Sequence, residues 1–168
     1  MANEIYLKHG ITVVFGSEGG DDVAWTTEGV TNGSGRQSAQ HDFGVDTAAR
    51  PDELQIRFFT QCQATTPVIG NTIDVYAKTS DHATLHLDND EGTGDIALSS
   101  SDKLKNLHYV GSAIVDEVVA DIEFVLSTRF ITSHRYIHFV FENNSGASIT
   151  SDVAETKLEM TPIYYQGQ

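Results

Sequence analysis

The chain has 168 residues, with 24 Asp or Glu against 10 Lys or Arg, for a formal net charge of −14 with histidine neutral. That length fits one domain, or one domain with an arm, and its core needs no disulfide or metal; the single cysteine, Cys62, allows no intrachain disulfide. An acidic chain without a Lys/Arg cluster is repelled by nucleic acid and by anionic membranes, which excludes both as expected partners. No basic and apolar leader stands at the start, no apolar run reaches about 18 residues, and no lipidation motif is visible. A soluble protein folded in a cytoplasm is expected.

The first fifty residues hold eight of the fourteen glycines: Gly10, Gly16, Gly19, Gly20, Gly29, Gly33, Gly35 and Gly44. A strand is predicted over Ile11–Phe15 and a shorter one over Val23–Thr26, with a loop through Gly33-Ser34-Gly35. Residues 1–50 therefore read as a glycine-rich arm or set of loops with short strands, laid over the body or over a neighbouring molecule. The body is predicted to span 51–168.

From Leu54 to Gln63 the sequence alternates: Leu54, Ile56, Phe58 and Cys62 face one way, Gln55, Arg57, Gln61 and Gln63 the other. Period two marks a half-buried strand, with Cys62 a small core hydrophobe. Ile73, Val75 and Ala77 alternate with Asp74, Tyr76 and Lys78 in a second strand; Leu85 and Leu87 mark a short third. A helical turn is expected over Ser99–Lys105 with Ser101 as N-cap. Strands follow over Tyr109–Val115 and Glu117–Ser127, the latter with a phase slip between Val119 and Ile122 that suggests a bulge. Arg135–Phe141 is apolar on both faces, which puts it mid-sheet, and Asn143-Asn144-Ser145-Gly146 ends it in a turn. A last strand runs from Leu158 to Tyr165, with Pro162 expected at an edge or bulge. About eight strands without an amphipathic helix imply an all-β fold, an antiparallel β-sandwich of jelly-roll type.

Asp88, Asp90 and Asp95 make the one weak calcium candidate: a polar loop with several hard oxygens, but Ser99 stands where an EF-hand loop needs its final Glu. A solvated acidic turn is the plainer reading. His82 and His86 are four apart in a strand-and-turn context, where that spacing has no metal-binding meaning, and the remaining histidines are scattered. No Gly-x-Ser-x-Gly elbow occurs, and no Lys follows Gly33-Ser34-Gly35 to make a phosphate cradle. Carboxylate pairs such as Asp21-Asp22 and Asp116-Glu117 are expected by chance in so acidic a chain. Trp25, Tyr6 and Tyr164-Tyr165 are possible sugar platforms, though lone aromatics more often pack. The residues point to no catalytic set, no cofactor and no metal.

Three stretches carry a resemblance: Trp25-Thr26 with Gly33-Ser34-Gly35-Arg36-Gln37-Ser38 and Asp42-Phe43-Gly44; the strand through Phe58 with Pro67–Tyr76; and Tyr136–Gly146 with Leu158–Gln168. In that order and spacing the chain resembles the cement or decoration proteins of tailed-bacteriophage heads. The resemblance implies a β-sandwich on the capsid exterior, bridging major capsid protein subunits as a homo-oligomer (trimer or dimer) and doing no chemistry. It also implies a virion protein made in the host cytoplasm. On this reading Val13, Phe15 and Trp25, with Arg36, are candidate capsid-binding residues; equally, the three apolar ones fill the sandwich's own core. The competing class is a carbohydrate- or receptor-binding module of a tail fibre on the same fold, for which two or three aromatics on one exposed face are expected.

Overall fold

A computed structural model describes residues 5–46, 50–63, 67–84, 91–119 and 121–167. Twelve strands are formed among them: β1 (Ile5–His9), β2 (Val13–Gly16), β3 (Val23–Ala24), β4 (Ser34–Gln37), β5 (His41–Asp42), β6 (Glu53–Gln61), β7 (Thr72–Ser80), β8 (Ile96–Ala97), β9 (His108–Ile114), β10 (Glu123–Ile131), β11 (Tyr136–Asn143) and β12 (Lys157–Gly167). They make two six-stranded sheets. One runs β10-β6-β12-β2-β3, with β1 also on β12; the other runs β8-β4-β11-β7-β9, with β5 also on β11.

The main strands β2, β4, β6, β7, β9, β10, β11 and β12 form four antiparallel ladders: β2–β12, β4–β11, β6–β10 and β7–β9. First pairs with last, second with second-last, and so inward, while the two sheets take alternate ladders. That winding is a jelly roll.

The core explains the alternation. Leu54, Ile56 and Phe58 of β6, Ile73, Val75 and Ala77 of β7, and Ile137, Phe139 and Phe141 of β11 are all fully buried between the sheets. Trp25, after β3, sits among both sheets' rings, with Phe58 at 6.0 Å and Phe141 at 5.4 Å between centroids. Its indole N–H donates to the Arg36 carbonyl at 3.2 Å, the partner a buried indole requires. Phe15 meets Phe139 edge to face at 5.0 Å.

The first fifty residues are therefore not an arm laid over a finished body. β2 is a rung of one sheet and β4 of the other. The loop predicted through Gly33-Ser34-Gly35 ends at Gly33, at φ 77: Ser34 and Gly35 are already strand and pair with Asn143 and Glu142. Gly35 is required there because a Cβ would stand 2.5 Å from the Phe141 carbonyl oxygen.

Other expectations shift locally. The strand predicted over Glu117–Ser127 begins at Glu123, after Asp121 at φ 62. The helical turn is a 3-10 helix over Ser101–Leu104, so Ser100, not Ser101, stands at its N-cap, without a side-chain bond. Pro162 lies inside the central strand β12, opposite Leu54, instead of at an edge. It is tolerated because its other side faces the changeover from β1 to β2, where its carbonyl takes the Gly10 N–H at 2.7 Å. Leu85 and Leu87 lie outside the described residues. Among those residues no helix is long and apolar enough to cross a membrane.

Candidate functional site

The sequence-derived candidates come together, but inward. Phe15 and Trp25 are fully buried. Val13 is half-buried and packs against the same core. Of the two roles open to these residues, the core role is the one seen. Arg36 Nε donates to Asp95 Oδ1 at 2.6 Å, and Asp95 Oδ2 accepts from the Thr26 N–H at 2.9 Å and the Thr26 hydroxyl at 2.5 Å. Burial alone raises the Asp95 pKa, but the hydrogen bonds from Arg36 and Thr26 outweigh it and hold the carboxyl below its ordinary value. Arg36 and Asp95 are thus spent on tying the β8 segment to the chain after β3. Asp88 and Asp90 lie outside the described residues, and among the described ones no three His, Cys, Asp or Glu side chains converge on a possible metal position. Asp21 and Asp22 brace their own turn, accepting the Glu18 and Val14 N–H groups.

An exposed site forms on the outer face of the second sheet. Asp74 and Tyr76 point outward from β7, and Glu142 stands opposite Asp74 on β11. On β9, Ser112 stands opposite Asp74 and Tyr109 opposite Tyr76. Tyr109 and Ser112 are an odd number of residues apart, so a regular strand would turn them to opposite faces. A bulge between Val75 and Tyr76 in the register restores both to the outer face. The tyrosine rings meet edge on, with centroids 5.6 Å apart, and Tyr109 remains 59% exposed.

A polar chain runs beside the rings. The Tyr109 hydroxyl bonds Ser112 Oγ, which donates to Asp74 Oδ1. Asn144 Nδ2 donates to Glu142 Oε2 at 3.0 Å and to Asp74 Oδ2 at 3.3 Å. Burial, then the charges of Asp74 and Glu142, push the Tyr76 hydroxyl pKa up, so it stays a neutral donor. An aromatic platform edged by carboxylates, a hydroxyl and an amide can stack on an apolar ring face and bond its hydroxyls. Tyr76 already alternated outward in the sequence; Tyr109 was missed because nothing local signals the bulge.

A second feature lies at one end of the sandwich. Arg135 grips Asp42 with two bonds, at 2.7 and 2.6 Å, and its guanidinium lies 4.6 Å from the Tyr136 ring centroid. Asp81 accepts from Arg50 at 2.8 Å and from the Arg135 N–H at 3.1 Å, and pairs with His134 Nδ1 at 3.0 Å. Hydrogen bonds from Arg135 and His134 lower the pKa values of Asp42 and Asp81 respectively. An open cavity of about 410 Å³ adjoins His134, floored by His108, Phe130 and Thr132. Each of the two carboxylates is already held by a cation, a bracing arrangement for the loops.

A third feature is apolar. β1 exposes Tyr6 and Leu7, and the crossover after it exposes Ile11 at 89%. Leu7 stands opposite Tyr165, itself 50% exposed, whose hydroxyl donates to Glu53 at 2.8 Å.

Compared with known proteins, the chain matches no family model, no curated protein and no solved structure.

Proposed function

We propose that the chain is a structural protein of a tailed-phage head, binding the outer capsid surface and bridging major capsid protein subunits without chemistry of its own. The observation that carries this reading is that Leu7 and its cross-strand neighbour Tyr165, with Ile11 in the crossover after β1, are exposed on a strongly acidic molecule. Grouped exposed apolar side chains on an otherwise charged surface mark an interaction site. The resemblance of the Trp25–Gly44, Phe58–Tyr76 and Tyr136–Gln168 stretches to capsid decoration proteins supports it. The jelly roll is a fold used by viral capsid domains, which agrees but does not discriminate. A subunit that binds the assembled lattice and not free subunits stabilises the shell by mass action. The N-terminal region keeps its proposed contact role, moved from the buried Phe15 and Trp25 to β1 and the crossover.

The test is co-sedimentation of purified protein with undecorated heads, for the parent chain and a Leu7→Asp/Ile11→Asp variant. Both positions are exposed, so the variant folds normally, and it should no longer sediment with heads. Unchanged binding by the variant removes the β1 end from the interface.

A second reading is favoured by one observation, the Tyr76–Tyr109 platform with its carboxylate and amide edge. On that reading the chain is a carbohydrate- or receptor-binding module. Binding on a glycan array that Tyr109→Ala abolishes supports it; a blank array together with head binding supports the capsid role.

A further inference from the structure

We propose that two copies of the chain join edge to edge through β10, antiparallel and about a two-fold axis at Leu126, so that one sheet runs continuously across a dimer. β10 ends its sheet: β6 pairs with one side, and among the described residues no strand pairs with the other. An open edge presents unpaired N–H and C=O groups, and natural sheets blunt such edges with bulges, prolines or short length. β9, the edge of the facing sheet, is blunted by its bulge. β10 has nine residues, pairs with β6 without a slip, and contains neither proline nor glycine.

The occupant follows from the strand's own sequence, Glu123-Phe124-Val125-Leu126-Ser127-Thr128-Arg129-Phe130-Ile131. A two-fold axis perpendicular to the sheet keeps the outer face outer, so only residues of like parity stand opposite each other. Centred on Leu126, Glu123 of each copy faces Arg129 of the other, and Val125 faces Ser127. Centring on Val125 leaves Glu123 against Ser127 and shortens the ladder. Centring on Ser127 sets Glu123 against Ile131 and Val125 against Arg129. Only the Leu126 register answers both charges within the strand, and opposed charges directly across a ladder stabilise it.

Accessibility and charge agree. Glu123, Val125, Ser127 and Arg129 are exposed. Arg129 touches Glu53 only at 3.5 Å with its side chain 64% exposed, which leaves guanidinium donors for a second carboxylate. Within β10 itself Glu123 and Arg129 cancel, so the strand's own side chains add nothing to the chain's net charge of −14. The dimer stands on the isolated chain and not on the capsid reading, so either can fail alone.

The experiment is sedimentation velocity of the full chain, with cysteine cross-linking on a Cys62→Ala background checked for folding by circular dichroism. The parent chain should sediment as a concentration-dependent dimer. Val125→Cys/Ser127→Cys should give a disulfide-linked dimer under mild oxidation. Either single cysteine should not, because it lies diagonally from its own copy, beyond disulfide reach. Glu123→Arg should weaken the dimer by about tenfold, and Glu123→Arg/Arg129→Glu should recover most of that loss. A chain that stays monomeric at all concentrations overturns the proposal. So does cross-linking of a single cysteine variant as readily as the double, which would mean another register.

Discussion

Arg36 Nε and Asp95 Oδ1 meet at 2.6 Å, joining two segments that lie far apart in sequence but flank the buried Trp25. Both side chains are largely covered, at 25% and 16% exposure, so removing one leaves the other's charge poorly solvated. Arg36→Ala or Asp95→Ala should each cost about 1.5–3 kcal/mol. A double-mutant cycle in urea should show the two losses to be strongly non-additive, whereas additive losses would mean that the pair contributes nothing as a pair.

Truncating the core tryptophan tests the placement of the first fifty residues. Trp25→Ala should cost about 3–5 kcal/mol, the range for a large buried aromatic. A chain starting near Arg50 lacks β1 to β5, three strands of one sheet and two of the other. It should show no cooperative unfolding transition by circular dichroism; a cooperative transition would restore the arm.

Gly35 predicts a steric cost of another kind. Its missing Cβ would meet backbone, the Phe141 carbonyl oxygen at 2.5 Å, and backbone in a central strand cannot move aside. Gly35→Ala should lower stability by about 1–3 kcal/mol. Gly19→Ala, with nothing near its Cβ, is the control and should be close to neutral in thermal melts.

The acid limb of stability should have two steps. Burial lowers the His41 pKa in the fold, partly countered by Asp42 and Asp22. A histidine held neutral in the fold binds fewer protons than it does unfolded. Its contribution is therefore complete above the unfolded value of about 6.5 and is lost as pH falls through it. Asp42, Asp81 and Asp95 all have lowered pKa values. Their contribution is present above the unfolded carboxylate value of about 3.9 and is lost below it. Urea midpoints from pH 8 to 3 should fall first as pH drops below about 6.5 and again below about 3.9. His41→Gln should remove the first step alone.

Period-two alternation made β6, β7 and β11 legible because those strands bury one or both faces along their whole length, and the side-chain pattern is then dictated residue by residue. β4 was not legible. Ser-Gly-Arg-Gln has no strand preference of its own and is a strand only because β11 pairs with it across the molecule. Glycine density in the first fifty residues read as looseness, although Gly35 is there for close approach. Pro162 read as an edge or bulge because local chemistry cannot reveal that the side lacking an N–H falls at a strand changeover. The Tyr109 platform was hidden for the same kind of reason: a bulge is set by the partner strand, and one extra residue reverses every face beyond it. Trp25 and Arg36, read as capsid contacts, and Asp95, read as a calcium ligand, were separate candidates; the fold joins them in one cluster that braces the interior.

The most direct measurement is a cryo-electron microscopy reconstruction of the native particle that carries the chain. The account predicts jelly-roll density on the capsid exterior, with the β1 end, around Leu7 and Ile11, against major capsid protein subunits. Density confined to a tail fibre, or a capsid-bound copy that meets the shell through the Tyr76–Tyr109 face with the β1 end in solvent, would contradict it.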